Sequence, residues 1–148
     1  MKKICIGLIA AILMLLPLMT TGCAGEEEEI VEIREQFFVR QVEYILRNID
    51  NFTGSTIQLE GVFISDTADT FAANTYHFVL RGISDCCGGG GSVGFEVDLG
   101  GFAPPANQAW VSVTGVLEVR DSWLPDNPVL VLTSIEEPAE RGQEVVMR

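Results

Sequence analysis

The spacing of hydrophobic residues predicts one helix in the first half of the chain. Between residues 33 and 50, apolar positions recur at steps of four, three and four, which is the period of one helical face. These positions are Phe38, Val42, Ile45 and Ile49. Charged and polar residues fill the other faces, and an Asp-Asn pair followed by Gly54 supplies a stop signal. The pattern indicates an amphipathic helix over residues 33–50 that packs on the domain after it.

A different period begins after Ser55, where apolar and polar residues alternate as they do along β-strands with one buried face. The alternating segments cover residues 57–63, 76–81, 93–99, 111–119 and 128–135, and residues 136–148 form a polar tail. Gly61 and Gly115 interrupt the first and fourth segments, where they predict kinks in long, coiled strands. We therefore predict a mainly β fold, a small five-stranded OB-like barrel preceded by the helix, with an open sandwich of the same strands as the alternative.

The first residues have the pattern of a secretory signal peptide. Lys2 and Lys3 precede the apolar run from Ile4 to Met19, which ends in Thr20-Thr-Gly-Cys23. A helix of this length spans about 24 Å, which is less than the roughly 30 Å hydrocarbon core of a bilayer. The order of a positive start, a short apolar run and small residues is typical of a signal peptide rather than of a membrane anchor.

Cys23 follows a small residue and precedes the tract 24–29, which contains four consecutive glutamates. This placement resembles the lipobox of bacterial lipoproteins, whose cysteine is acylated and becomes the first mature residue. The resemblance implies lipid attachment at Cys23 and a place on the extracytoplasmic face of the cell membrane; a plain secreted protein and an uncleaved anchor are the alternatives. Residues 1–22 are then the signal peptide, 23–32 an acidic tether, and 33–148 the helix and barrel.

The charge balance excludes one class of partner. The chain has 9 basic and 21 acidic residues, and a mature chain from Cys23 onward retains 7 arginines against all 21 acids, a formal charge of −14. Binding of nucleic acid is driven by clusters of basic residues that displace counterions, and such clusters are lacking here. We expect no nucleic-acid partner.

Two adjacent cysteines mark the candidate site. With Cys5 in the signal peptide and Cys23 acylated, Cys86 and Cys87 are the two remaining thiols, and they precede the glycine run 88–91. Three states are open to them. They can form a strained vicinal disulfide, bind a thiophilic metal ion such as zinc or copper, or pack as small structural residues.

Two thiolates do not complete the tetrahedral shell of zinc, so a zinc site needs further ligands. Glu96 is the expected third metal ligand beside Cys86 and Cys87, and Asp85 and His77 are further candidates. Glu96 and His77 join one site if a hairpin of the second and third strands places them on the same face. Hydrolytic catalysis has little support because the chain has one histidine and no evident group to orient it.

Four motifs in order resemble an uncharacterised bacterial family. They are Tyr76-His-Phe-Val-Leu-Arg81, Cys86-Cys87-Gly88, Val93-Gly-Phe-Glu-Val97 and Trp110-Val-Ser-Val-Thr-Gly-Val-Leu-Glu118. Members of that family carry a Cys-Cys OB-like domain, either as a lipoprotein or at the end of a short membrane protein that accompanies a predicted permease. The resemblance covers residues 51–148 and implies the barrel fold and a role for Cys86, Cys87 and Glu96.

The sequence leads to a non-enzymatic, lipid-anchored domain that binds a thiophilic metal ion through Cys86 and Cys87, as an accessory to a permease or other membrane protein. Two alternatives come from other classes of function. In the first, the pair cycles between dithiol and disulfide as a redox partner. In the second, the domain is a protein-interaction module and the cysteines are structural.

Overall fold

The computed structural model describes residues 29–67, 74–84 and 90–147. The predicted signal peptide, Cys23, Cys86 and Cys87 lie outside these ranges. The described elements are strand β1 (Ile30–Glu32), a 3-10 turn (Glu35–Phe37), helices α1 (Phe38–Arg47) and α2 (Ile49–Phe52), and strands β2 (Thr56–Thr67), β3 (Thr75–Ser84), β4 (Gly90–Asp98), β5 (Trp110–Arg120), β6 (Asn127–Glu136) and β7 (Val145–Met147). None of the helices in this part of the chain has the length and apolar character to span a bilayer.

Five strands close into a barrel. β2 pairs antiparallel with β3 and with β5, β3 pairs antiparallel with β4, and β5 pairs antiparallel with β6. The parallel pair β4–β6 completes the ring. Numbered within the barrel, the strands follow the order one, two, three, five, four and back to one, which is the Greek-key connection of an OB fold. The predicted mainly β fold with a five-stranded OB-like barrel is confirmed.

Both predicted kinks are present. β2 pairs with β5 up to Val62 and with β3 from Val62 onward, so Gly61 lies where the strand bends from one partner to the other. A Cβ on Gly61 would be 2.9 Å from the Leu80 carbonyl oxygen. In β5, the register with β6 shifts between Thr114 and Gly115. Glycine at these two positions lets the backbones approach closely where the barrel turns its corners.

The core lies inside the barrel, and α1 covers one side of it. Buried apolar residues from the strands include Ile57, Leu59, Phe63, Val79, Phe95, Val111, Val113, Leu117 and Leu130. From α1, Phe38, Val42 and Ile45 join the same cluster. The predicted helical face is therefore the buried one, and each such side chain stabilises the fold by about 1.5–3 kcal/mol.

The helix is shorter than the predicted span of residues 33–50. At its start, the Ile33 N–H donates to the Gln58 carbonyl oxygen at 2.8 Å, so this residue continues the pairing of β1 with β2. At its end, α1 stops at Arg47, and the Asn48 side chain donates back to the Tyr44 carbonyl oxygen at 2.7 Å. Competition of this kind between an asparagine side chain and the backbone favours a helix end.

Two short strands lie in segments that the sequence indicated as tether and tail. β1 pairs parallel with the first part of β2, and β7 pairs parallel with the last part of β3. The antiparallel pairing of β2 with β3 covers only residues 62–67 and 75–80, which leaves one edge of each strand open elsewhere. β1 and β7 supply hydrogen-bond partners for those open edges.

Arg81 connects the residues next to β1 and β7 to the barrel through hydrogen bonds. Its side chain is 2% exposed, and its guanidinium lies 4.6 Å from the Phe38 ring centre and 4.8 Å from that of Trp110. The guanidinium donates to the Glu60 carbonyl oxygen at 2.7 Å, to Glu35 Oε2 at 3.2 Å and to the Gln143 carbonyl oxygen at 3.3 Å. Burial lowers the pKa of Arg81, and the Glu35 carboxylate opposes that shift. Residues before α1 and before β7 thus meet at one buried cation.

Candidate functional site

The hairpin of β3 and β4 carries the cysteine pair in its connection. The antiparallel register runs from His77↔Val97 to Ser84↔Gly90 without a shift, so residues 85–89 join two neighbouring strands. Gly90, Gly91 and Ser92 are exposed, and a Cβ on Gly91 would meet no atom within 4 Å. The first residues of β4 therefore face solvent, whereas Ile83 and Val93 beside them pack against the hydrophobic core.

β7 brings a sulfur atom to the same end of the hairpin. In the parallel β3–β7 ladder, Met147 is registered with Ser84, two residues before Cys86. The Met147 side chain is 74% exposed, an unusual position for an apolar residue. Sequence reasoning missed this residue because it lay in a polar tail. The available signal was the apolar run Val145-Val-Met147 within that tail.

Glu96 lies far from that end. It is registered with Phe78, six residue pairs along the hairpin from Ser84↔Gly90, which corresponds to about 20 Å. The carboxylate is 7% exposed and accepts hydrogen bonds from Ser122 Oγ, Asn127 Nδ2 and, at 3.4 Å, the Trp123 N–H. Glu96 therefore anchors the β5–β6 connection and lies about 20 Å from the last described residues of the hairpin, Ser84 and Gly90.

His77 lies on the opposite face of the sheet from Glu96. Residues paired across an antiparallel ladder point their side chains to the same face of the sheet. His77 is paired with Val97, the residue next to Glu96 in β4, so the side chain of Glu96 points to the other face. The imidazole stacks on Phe63 with ring centres 5.4 Å apart, and its Nδ1 lies 3.0 Å from Ser65 Oγ. The predicted hairpin is confirmed, but a face shared by Glu96 and His77 is wrong.

No ready-made metal cluster accompanies the hairpin within residues 29–67, 74–84 and 90–147. In those ranges, no group of three or more His, Cys, Asp or Glu side chains is arranged to hold a metal ion. Met147 carries a sulfur atom and is registered with Ser84 at the end of β3 that leads to Cys86 and Cys87.

Comparison with known families identifies the domain. Residues 20–146 match the DUF1980 C-terminal domain. The chain belongs to this family. The match spans every strand of the barrel and both cysteines of the hairpin connection, and it agrees with the resemblance to an uncharacterised bacterial family. Neither a curated protein nor a solved structure matches the chain significantly. The DUF1980 C-terminal domain thus has an OB-like barrel in this protein.

The anchoring role of Glu96 predicts a moderate loss of stability on its removal. Glu96→Ala leaves the Ser122 hydroxyl, the Asn127 amide and the Trp123 N–H without their carboxylate acceptor, and we expect the free energy of unfolding to fall by about 1–3 kcal/mol. Urea unfolding at neutral pH measures the change. The matched control is Glu118→Ala, an exposed carboxylate on β5, which should stay within about 0.5 kcal/mol of wild type. Equal effects of the two substitutions would contradict the anchoring role.

Proposed function

We propose that this protein is a lipid-anchored domain on the extracytoplasmic face of the membrane, where it binds a thiophilic metal ion through Cys86 and Cys87 and passes it to a membrane transporter. The observation that carries the proposal is the register at the end of β3. Ser84 is paired with exposed Gly90 on one side and with exposed Met147 on the other, so the residues that flank the cysteine connection offer solvent access and a soft ligand.

The chemistry of these ligands favours copper(I) over zinc. Thiolate and thioether sulfurs are soft ligands that select copper(I), whereas zinc prefers a closed shell of four nitrogen and sulfur ligands. Two thiolates and one thioether suit a trigonal copper(I) ion. A shell of so few ligands also remains open to a partner's thiolate, which is the requirement for passing the ion on.

A groove beside β7 supports a protein partner at the same end of the barrel. It has a volume of about 390 Å³ and lies between the start of α1 and β7. Phe37, which is 50% exposed, and Met147 both line it. Exposed apolar side chains that cluster beside a proposed transfer site indicate contact with another protein. A permease or other membrane protein fits this role, since the lipid anchor at Cys23 keeps the domain at the membrane surface.

A metal-binding measurement tests the proposal. The full chain is purified in mild detergent under reductant and titrated with copper(I) and with zinc against a competing chelator, as wild type and as Cys86→Ser/Cys87→Ser. We expect the double substitution to abolish tight binding of copper(I). Met147→Leu keeps the apolar bulk and removes the thioether, and it should weaken copper(I) binding about tenfold, worth about 1.4 kcal/mol, with no effect on zinc.

Ser92→Ala, an exposed change on the same hairpin, is the control and should bind as wild type does. Equal metal content in wild type and the double-serine variant would end the metal proposal. If that variant still binds its membrane partner, the domain is an interaction module. If the wild-type chain loses the mass of two protons in air without binding metal, the cysteine pair is a redox couple.

A further inference from the structure

A second open site lies at the other end of β3 from the cysteine hairpin. A cleft of about 590 Å³ opens between the start of β3, the end of β4 and the β5–β6 connection. The residues that matter in its lining are Tyr76, His77, Glu96, Asp98, Arg120 and Asp121. Thr75 and Ser84 are nine residues apart on β3, about 30 Å, so the cleft is separate from the hairpin end. Its volume is within the range of small-ligand sites.

The polar wall of the cleft is held in place before any ligand arrives. Asp98 Oδ2 accepts from Arg120 Nη2 at 2.6 Å, and Asp98 Oδ1 accepts from the Gly100 N–H at 3.0 Å. The Gly100 N–H and the Arg120 guanidinium lower the pKa of Asp98, so this carboxylate is charged at neutral pH. Fixed polar groups of this kind lower the cost of ordering a binding site.

An aromatic surface adjoins this wall. Trp123 on the β5–β6 connection is 41% exposed. Its ring meets Tyr76 edge-on with centres 5.4 Å apart and Phe78 edge-on with centres 5.9 Å apart. Glu96 accepts from the Trp123 N–H and so fixes the backbone behind the ring. The result is an exposed indole, packed edge-on against two aromatic rings, next to the cleft that Tyr76 lines.

The charges exclude anionic ligands. Among the described lining residues, Glu96, Asp98 and Asp121 are acidic, and Arg120 is the one guanidinium. Like charges this close repel phosphate and sulfate groups, and the chain as a whole is strongly acidic. The remaining candidates are uncharged ligands that can form hydrogen bonds with the polar wall and apolar contacts with the aromatic surface.

A neutral oligosaccharide has both properties. Each sugar hydroxyl donates one hydrogen bond and accepts others, and the Asp98–Arg120 pair offers an acceptor and donors side by side, as two adjacent hydroxyls require. The C–H face of a sugar ring is apolar and packs on aromatic rings such as Trp123. In OB barrels generally, the second and third strands and the loops beside them bind oligonucleotides or oligosaccharides, and the acidity here excludes the former.

We propose that this cleft binds a neutral oligosaccharide, with a sugar ring against Trp123 and Tyr76 and adjacent hydroxyls on Asp98 and Arg120. The site does not depend on the cysteine pair.

Titration of the full chain with defined tetrasaccharides tests this proposal. Chitotetraose, cellotetraose and maltotetraose are the neutral probes, and a heparin tetrasaccharide is the anionic one. Isothermal calorimetry measures affinity, and tryptophan emission reports on exposed Trp123, because Trp110 is buried. We expect saturable binding of at least one neutral probe, no binding of the heparin probe, and an unchanged affinity in Cys86→Ser/Cys87→Ser.

Matched variants distinguish a loss of sugar binding in the cleft from a nonspecific effect of changing the protein surface. Trp123→Ala and Asp98→Asn should each weaken sugar binding about tenfold, worth about 1.4 kcal/mol. Leu124→Ala changes an exposed residue on the same connection and should bind as wild type does. Thermal unfolding establishes that each variant is folded. The proposal is overturned if no neutral probe binds saturably or if only the heparin probe binds. If no sugar binds to the wild-type chain and Trp123→Ala loses a membrane-protein partner, the Trp123 surface contacts a protein and the proposal is likewise overturned.

Discussion

Replacement of Arg81 by alanine should lower the free energy of unfolding by about 3–5 kcal/mol, a large part of the 5–15 kcal/mol typical of a domain. The substitution removes the donors to the Glu60 carbonyl, the Glu35 carboxylate and the Gln143 carbonyl. It also empties the space between Phe38 and Trp110. Urea unfolding at neutral pH, followed by circular dichroism, measures the loss.

Two further substitutions identify the cause. Arg81→Met fills most of the vacated volume and should recover part of the lost stability, because packing is restored while the hydrogen bonds are not. Arg34→Ala removes an exposed arginine whose ion pair with Glu32 is long, at 3.8 Å, and should change stability by less than about 0.5 kcal/mol. A loss under about 1 kcal/mol for Arg81→Ala would show that the buried cation does not hold the terminal segments.

Gly94→Ala is the second large effect that we expect. A Cβ at this position on β4 would overlap the Val79 carbonyl oxygen and lie 3.0 Å from the Leu80 Cα, so backbone atoms of β3 would have to move. Overpacking usually costs about 1–3 kcal/mol, and a clash with backbone belongs at the top of that range or above it. The prediction is a loss of about 3 kcal/mol or more in urea unfolding.

The same strand offers a matched control. Gly91→Ala is three residues earlier in β4, where an added Cβ meets no atom within 4 Å. It should leave stability within about 0.5 kcal/mol of wild type, as surface substitutions usually do. If Gly94→Ala unfolds at the same urea concentration as Gly91→Ala, then β3 and β4 are not as close at this point as the register implies.

The barrel could be predicted because its strands carry their own signal. Alternation with a period of two marked all five, and the central glycines of the first and fourth marked the bends. β1 and β7 could not be found in this way. Each is three residues long, too short for a period, and each forms because an edge of β2 or β3 lies open after the barrel closes. These open strand edges exist only after the barrel has closed, so the local sequence of β1 and β7 carries no signal for them.

The candidate site was only partly accessible to sequence reasoning. Cys86 and Cys87 stood out by composition alone. The relation of His77 to Glu96 depended on the hairpin register, and a shift of one residue exchanges the two faces of a strand. Arg81 was also hard to foresee, because a charged residue in an alternating strand is ordinarily at the surface. The available signal was its position two residues after Val79, because residues two apart in a strand point to the same face and Val79 is fully buried.

The contact between Glu35 and Gln143 has a consequence for the order of folding. The Gln143 N–H donates to Glu35 Oε2 at 3.0 Å across 108 residues of sequence. A nascent chain still lacking residue 143 has neither this bond nor the Gln143 carbonyl that Arg81 uses. The region before α1 therefore lacks these two contacts until residue 143 has been synthesised, which comes after every strand of the barrel.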